Sequence, residues 1–213
     1  MIVVGIGGGS GSGKSFMASR IKGRLPEKTL LFSMDRYYRP YDDRSGFERQ
    51  QINFDLPGTL DWELMREHLR ALQRGESIEM PEYSFDENTR VGYVEREPRD
   101  IVIVEGIYAL YDEAMNDIMD LKVFLSPPAD VRAVRRVKRD VVERDRNIEF
   151  AARQYLEQTR EMHEEHVAPT RENADFVLGD DDADRFVELV TDLFREQEAQ
   201  ESRDVREYFA DNL

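Results

Sequence analysis

The chain of 213 residues contains no cysteine, and long apolar runs are absent as well. Without cysteine there is no disulfide framework and no metal site built from thiolates. No apolar segment approaches the ~18–20 residues that span a bilayer. The apolar run at residues 2–4 is too short for a signal peptide. We therefore expect a cytoplasmic protein with no membrane partner.

Positive charge is in deficit, and lysine in particular is scarce. Lysine and arginine together number 30 against 45 acidic residues, so the formal net charge is −15. A field of this sign repels nucleic acid, and we expect no nucleic-acid partner. The balance of 40% hydrophobic and 35% charged residues is typical of a soluble globular protein. The length suits a single domain over residues 1–213.

Short apolar runs alternate with segments of helical periodicity along the chain. The runs that predict strands lie at residues 2–6, 29–33, 101–104, 121–125 and 176–178. The segments that predict helices lie at residues 14–23, 60–74, 131–144, 150–166 and 183–198. This alternation predicts an α/β fold with a mostly parallel sheet. Residues 76–98 read as a hairpin-like insertion, and residues 200–213 read as a polar tail, a frayed helix at most.

The stretch GIGGGSGSGKS at residues 5–15 directly follows the first apolar run. Four of its residues fit the pattern G-x-x-x-x-G-K-[ST], and the rival dinucleotide pattern G-x-G-x-x-G has no match. Glycines let backbone N–H groups converge on phosphate oxygens, and the helix that follows adds its positive end. The residues expected to cradle phosphate are Gly8, Gly9, Ser10, Gly11, Ser12, Gly13, Lys14 and Ser15. Lys14 would reach the β- and γ-phosphates, and the Ser15 hydroxyl would ligate Mg²⁺.

Two carboxylates follow predicted strands. Asp35 comes after the second strand and Glu105 after the third. Because the carboxyl ends of parallel strands line the ligand crevice, both acids are expected near the transferred phosphate. One can hold Mg²⁺ while the other takes a proton from an acceptor hydroxyl. A GTPase would instead carry a guanine-reading N-K-x-D motif, which is absent.

Several ordered segments give the chain a family resemblance over about residues 2–182. Beside the phosphate loop these are SMDRYY at 33–38, NFDLPGTLD at 53–61, PEYSFDENTR at 81–90, IVIVEGIYAL at 101–110 and RRVKRDVVERDR at 135–146. With them the chain resembles the uridine kinase (uridine–cytidine kinase) family of P-loop kinases, within the phosphoribulokinase/uridine kinase superfamily. The phosphate loop is common to many families, whereas the ordered set is far more specific.

The resemblance implies a function and a site. The reaction would be transfer of phosphate from ATP, or GTP, with Mg²⁺, to the 5′-hydroxyl of uridine or cytidine in pyrimidine salvage. Asp35 looks like the general base, with Lys14, Arg139 and Arg144 stabilising the transferred phosphate. Ser15, Asp35 and Glu105 look like the metal shell. The residues that would contact the nucleoside are Tyr38, Asp55, Tyr83, Phe85, Asn88, Arg136, Arg146 and Gln154.

The resemblance also implies an architecture and an assembly. The family fold is a five-stranded parallel sheet with helices on both faces, a β-hairpin that forms part of the nucleoside pocket, and an arginine-rich helical lid, here at about residues 135–150. Members often assemble as homo-oligomers, so a dimer or tetramer is expected.

The chemistry of the basic cluster in the lid is consistent with the phosphoryl transfer that the resemblance implies. Phosphoryl transfer spreads negative charge over non-bridging oxygens, which arginine forks stabilise. The cluster comprises Arg135, Arg136, Lys138, Arg139, Arg144 and Arg146. A solvated helix face remains the alternative reading for Arg135. A nucleic-acid patch is the other alternative, which the overall charge opposes.

Two departures from the family pattern leave the acceptor open. Asn88 stands where the family usually has histidine beside the base, and Leu56 stands where histidine usually follows the ribose-binding acid. Arginines at 36, 39 and 44 would also allow a phosphate already present on the substrate. The alternatives are therefore a sugar-phosphate kinase resembling phosphoribulokinase, or a non-catalytic nucleotide-binding protein. The intact Lys14, Asp35 and Glu105 argue against the latter.

Two further patterns favour structural roles. His163 and His166 lie three residues apart and do not fit the H-E-x-x-H metal pattern, so a solvated helix face is expected. The acidic run at residues 180–184 lacks the glycine and glutamate of a calcium loop, so we expect it to cap the last helix.

Overall fold

A computed structural model describes residues 1–180, 182–197 and 205–213. Five parallel strands form the central sheet in the order β2-β5-β1-β6-β7. The strands are β1 (Ile2–Gly8), β2 (Thr29–Ser33), β5 (Ile101–Glu105), β6 (Leu121–Leu125) and β7 (Phe176–Leu178), with β3 (Ile78–Ser84) and β4 (Thr89–Arg96) outside the sheet. The predicted five-stranded α/β fold is confirmed.

Helices cover both faces of the sheet. The α-helices are α1 (Lys14–Arg24), α2 (Gly46–Gln50), α3 (Trp62–Gln73), α4 (Glu113–Asn116), α5 (Ala129–Val142), α6 (Ile148–Gln154), α7 (Arg160–Met162), α8 (Asp182–Gln197) and α9 (Val205–Asn212). None of the helices in the described part of the chain is long and apolar enough to cross a membrane.

Alternate residues of the central strands enter two separate cores. On β5, Val102 and Val104 pack in one core with Leu69 of α3. Ile101 and Ile103 pack in the other core, which also contains the buried faces of α1 and α8. Because both faces are covered, these strands are continuous apolar runs, which is why the sequence predicted them within two residues of their ends.

The insertion between α3 and β5 is an antiparallel hairpin of β3 and β4. Arg90 fastens it to the body of the protein, because its guanidinium donates to Asp61 at 2.9 Å and to the Tyr38 carbonyl at 3.1 Å. Thr89 adds a hydrogen bond to the Pro40 carbonyl at 2.8 Å. The hairpin is therefore held over the carboxyl edge of β2.

The segment predicted as one helix at residues 150–166 is irregular. α6 passes into a π-helical turn at Tyr155–Thr159, then α7, then a second π turn at His163–Val167. A 3₁₀ segment, Ala168–Asn173, follows before β7. Such turns widen the helix, frequently at functional sites, and re-aim the side chains within them. The apolar periodicity of the sequence does not reveal them.

The C-terminal segment is more than a polar tail. Residues 200–204 lie outside the described residues, but α9 follows them and buries Tyr208 and Phe209. The ring of Phe209 lies 5.2 Å from that of Phe186 and 6.2 Å from that of Phe176, measured between centroids. Within the acidic run at 180–184, α8 begins at Asp182, which accepts the Gly179 N–H at 2.8 Å, and Asp181 lies outside the described residues.

We expect Phe209→Ala to lower the free energy of unfolding by about 3–5 kcal/mol, because it empties a fully buried aromatic site. Leu213→Ala, at an exposed position of the same segment, is the control and should change it by less than about 0.5 kcal/mol. Urea denaturation measures both. Equal effects of the two variants would contradict the packing of α9 against the core.

Candidate active site

The phosphate loop joins β1 to α1 and closes around its own lysine. The Lys14 ammonium donates to the Gly9 carbonyl at 2.8 Å and to Ser12 Oγ at 3.4 Å. Gly11 adopts a left-handed φ of 79°, and a Cβ there would overlap the Arg132 carbonyl oxygen. Only glycine satisfies both the backbone angle and the close approach of α5.

Lys14 is buried, with 7% of its surface exposed. The pKa of its ammonium group is lowered from 10.5 to about 8, chiefly by burial, and Arg139 and Arg132 act in the same direction. Glu105 and Asp35 oppose this effect. The ammonium is thus a desolvated cation whose charge a phosphate group would stabilise.

Glu105 is held at the end of β5 by two hydroxyls. Ser15 donates to its Oε2 at 2.9 Å and Ser33 to its Oε1 at 2.6 Å. Burial, together with the nearby Asp35, raises the pKa of Glu105, while these hydrogen bonds and Lys14 act in the opposite direction. A cation beside the two carboxylates would relieve this cost, and hydroxyl and carboxylate oxygens are ligands that Mg²⁺ prefers. The donor set of Ser15, Asp35 and Glu105 therefore fits the metal.

One cavity collects most of the residues predicted from the sequence. Among those lining it are Ser10, Lys14, Ser15, Asp35, Tyr38, Asp55, Phe85, Asn88, Glu105, Arg136, Arg139, Arg144, Arg146 and Gln154. Of the predicted nucleoside contacts, Tyr83 is the exception. It lines an adjoining cavity that shares Ser15, Asp35, Phe85 and Glu105 with the first. The phosphate loop, the two acids and the hairpin thus meet at one place.

Aromatic rings form the wall beneath the hairpin. The Tyr38 ring packs 5.3 Å from Phe54, 5.4 Å from Tyr83 and 6.5 Å from Phe85, measured between centroids. Burial, with Asp35 and Asp55 nearby, raises the pKa of Tyr38 well above its ordinary value, so the phenol stays neutral. Such rings offer flat apolar faces suited to stacking.

Asp55 is positioned by two groups that the sequence analysis did not identify. Thr159, in the first π turn, donates its hydroxyl to Asp55 Oδ2 at 2.8 Å. The Tyr108 hydroxyl donates to the Asp55 carbonyl oxygen. Thr159 lies 104 residues from Asp55 in sequence, and no local signal connects them. These contacts hold the carboxylate in the cavity wall.

The lid arginines surround one buried carboxylate, Asp140. Arg136 donates to it at 2.7 Å and also reaches Ser10 Oγ of the phosphate loop at 3.0 Å. Arg139 and Arg144 lie 3.6 Å from its other oxygen, too far for a good hydrogen bond. The buried Nε of Arg139 has no hydrogen-bond partner among the described residues. The lid therefore offers more positive charge than Asp140 neutralises.

One contact joins the lid to the hairpin, and another joins it to α6. The guanidinium of Arg144 lies 4.8 Å from the centre of the Phe85 ring, a cation–π contact. Arg146 donates to Gln154 Oε1 at 2.9 Å.

Asn88, at the hairpin turn, has a left-handed φ of 51°, a backbone conformation that asparagine tolerates. Arg135 instead pairs with Asp180 at 2.8 Å on the exposed face of α5.

The sequence analysis missed Arg132 and misread His163. Arg132 lies one turn before Arg136 on α5 and is buried against the phosphate loop at Gly9 and Gly11. This helical spacing could have placed it with the lid arginines. The prediction that His163 lies on a solvated face is wrong, because its ring packs against Gly9. Burial, with Arg132 and Lys14, lowers its pKa to about 4, so the ring is neutral at pH 7.

The arginines that suggested a second substrate phosphate do not line the cavity that contains Asp35 and Asp55. Arg36 lines the adjoining cavity that contains Tyr83, and it donates to the Pro81 carbonyl at 3.3 Å. Arg39 is exposed, and Arg44 is exposed with its guanidinium 5.0 Å from the Tyr41 ring centre.

The lowered pKa of Lys14 predicts that ATP binding takes up protons. At pH 8.5, above this pKa, part of the ammonium is deprotonated, and bound phosphate would restore its charge with a net uptake of protons. Calorimetric titration in buffers of different ionisation enthalpy measures the uptake. Lys14→Arg, which stays charged at this pH, should abolish it. Binding heats that do not depend on the buffer in the unmodified protein would contradict the prediction.

Comparison with known proteins agrees with this geometry. The model of the "Phosphoribulokinase / Uridine kinase family" matches residues 3–181. A uridine kinase of Halobacterium salinarum is 43% identical over 176 residues, which cover 82% of this chain and 78% of the relative. A uridine kinase of Deinococcus deserti is 42% identical over 178 residues, which cover 83% and 86%.

The fold is also found among solved structures. The phosphoribulokinase of Rhodobacter spheroides superposes with a TM-score of 0.60 at 13% identity, over 84% of this chain and 69% of that one. At this identity the likeness concerns the fold alone. The match of the family model and the identity to the relatives, each over more than four fifths of the chain, show that the chain belongs to the phosphoribulokinase/uridine kinase family.

Proposed function

We propose that this enzyme transfers the γ-phosphoryl group of ATP to the 5′-hydroxyl of uridine or cytidine, as a nucleoside kinase of pyrimidine salvage. One observation carries the proposal. A single cavity joins the phosphate loop, the Asp35 and Glu105 carboxylates, an aromatic wall and the Asp55 carboxylate. Its relatives from Halobacterium and Deinococcus bear the name uridine kinase.

The acceptor half of the cavity suits a pyrimidine nucleoside. The Phe85 ring offers a flat apolar face to a base. The Asp55 carboxylate has two acceptor oxygens, and these can accept hydrogen bonds from two ribose hydroxyls. Asn88 offers an amide that both donates and accepts, in place of the usual histidine, at the edge of the base. Tyr83 would support this wall from behind through its packing on Phe85.

In the proposed reaction, Asp35 accepts the 5′-hydroxyl proton as the hydroxyl oxygen attacks the γ-phosphorus in line and ADP leaves. Lys14, Arg139 and Arg144 stabilise the charge on the transferred group. Ser15, Asp35 and Glu105 would hold Mg²⁺, whose charge would stabilise the negative charge of the donor phosphates. The contacts of α5 with the phosphate loop would keep water away from the γ-phosphate.

A sugar-phosphate acceptor is the second candidate, and the cavity does not favour it. Such a substrate needs a second phosphate site on the acceptor side. The arginines at 36, 39 and 44 do not line the cavity between Asp35 and Asp55. The arginines that do line it belong to the lid, where Arg136 contacts Ser10 of the phosphate loop and Arg146 is hydrogen-bonded to Gln154. A homo-oligomer stays a prediction from the resemblance, a cytoplasmic location stays a prediction from the composition, and GTP stays open as an alternative donor.

A coupled assay of ADP release with Mg–ATP tests the acceptor. The panel comprises uridine, cytidine, adenosine, ribose 1-phosphate, ribose 5-phosphate and ribulose 5-phosphate. We expect turnover with uridine or cytidine and at least a hundredfold lower kcat/KM with every sugar phosphate. Turnover with a sugar phosphate alone would overturn the nucleoside roles of Asp55, Phe85 and Asn88.

Asp35→Asn should keep ATP binding within threefold of the unmodified protein and lose turnover by about 10²–10⁴, because an amide cannot accept the hydroxyl proton. Asp43→Asn, which removes an exposed carboxylate of the following loop, is the matched control and should leave kcat unchanged. Initial rates and calorimetric ATP titrations measure the two effects. An Asp35→Asn rate within threefold of the unmodified enzyme would remove Asp35 from the role of base.

A further inference from the structure

A second cavity of about 630 Å³ lies along the outer edge of β2, beneath the base of the hairpin. Its apolar lining comes from Leu30, Leu31 and Met80. Lys22, Arg96 and Arg99 line it with positive charge. The volume is in the range of small-molecule sites. No step of the phosphoryl transfer uses this cavity.

Arg36 stands between this cavity and the phosphoryl-transfer site. It lines the second cavity and also the cavity that contains Tyr83, which adjoins the phosphoryl-transfer cavity and shares Asp35 and Glu105 with it. Its hydrogen bond to the Pro81 carbonyl crosses from the β2 side to the hairpin. An occupant of the second cavity would therefore touch the residue directly after Asp35.

The cations around the second cavity are weakly neutralised. Among the described residues, neither Arg36 nor Arg96 forms an ion pair, and each donates only to a backbone carbonyl at 3.3 Å. Arg99 pairs with Glu97 at a long 3.9 Å. Glu95 and Glu97 are the acidic residues of the lining, against four basic ones. In a chain with a net charge of −15 this local excess of positive charge favours an anion.

A buried hydroxyl adds an independent observation. Thr29 lines the same cavity, is fully buried, and its Oγ1 has no hydrogen-bond partner among the described residues. A buried hydroxyl without a partner costs stability, so native proteins usually satisfy it with water or a ligand. The cavity therefore combines an unpartnered buried hydroxyl with weakly neutralised cations and an apolar floor.

We propose that this cavity binds an organic phosphate, with the phosphate between Arg36, Arg96 and Arg99 and its apolar body against Leu30, Leu31 and Met80. Guanidinium groups match phosphate geometry with paired hydrogen bonds. The apolar floor distinguishes an organic phosphate from inorganic phosphate. The proposal does not depend on which acceptor the enzyme phosphorylates.

Calorimetric titration tests the site with phenyl phosphate and inorganic phosphate as probes. The phosphate loop is first filled with Mg²⁺ and the non-transferable donor adenosine 5′-(β,γ-imido)triphosphate. The variant R96Q/R99Q removes two cations of the cavity. The matched control R70Q/R171Q removes two exposed arginines elsewhere. Phenyl phosphate that enters the nucleoside pocket would bind equally to both variants.

We expect phenyl phosphate to bind the unmodified protein at least threefold more tightly than inorganic phosphate. R96Q/R99Q should weaken it at least tenfold, and R70Q/R171Q less than twofold. Thr29→Val, which keeps the side-chain shape, should retain the fold and weaken phenyl phosphate by a smaller factor. Equal affinities in R96Q/R99Q and the control would overturn the site, and equal affinities for the two probes would overturn the organic phosphate. Failure of the donor analogue to bind would count against the proposed function alone. The affinity of R96Q/R99Q for phenyl phosphate could still be compared with that of R70Q/R171Q, so the second cavity would still be tested.

Discussion

The buried ammonium group of Lys14 is the charge around which the site is arranged. Burial lowers its pKa to about 8, so its charged form needs support from its surroundings. The Gly9 carbonyl and the nearby Glu105 and Asp35 carboxylates provide it. These carboxylates come from the ends of two neighbouring parallel strands, β5 and β2. The strand order of the sheet therefore determines which acids meet the lysine.

The lid follows the same electrostatic logic with the signs reversed. Asp140 is a buried carboxylate, and Arg136, Arg139 and Arg144 gather around it. One negative charge cannot neutralise three positive ones, so the cluster keeps an excess that phosphate oxygens can use. The chain as a whole carries a net charge of −15, so the fold concentrates its scarce positive charge at the lid.

Continuous apolar runs predicted every strand of the central sheet, because parallel strands with both faces covered leave a strong signal. The phosphate loop was predicted from its glycine spacing, since a backbone cradle for phosphate demands those residues locally. The π turns and the packing of α9 were not predicted. Both depend on tertiary contacts, such as that of Phe209 with Phe186, which local periodicity does not encode.

The sequence by itself determined where the strands lie along the chain, where the phosphate loop lies, and which types of residue are available for the chemistry. Only the tertiary structure decided where the side chains of these residues point and which groups they contact. It aimed Arg36 at the Pro81 carbonyl, gave Asp55 a hydrogen bond from Thr159, and packed His163 against Gly9. These partners lie tens to more than a hundred residues apart, and packing of whole elements sets their contacts. A side chain's type is local information, whereas its direction is a property of the assembled core.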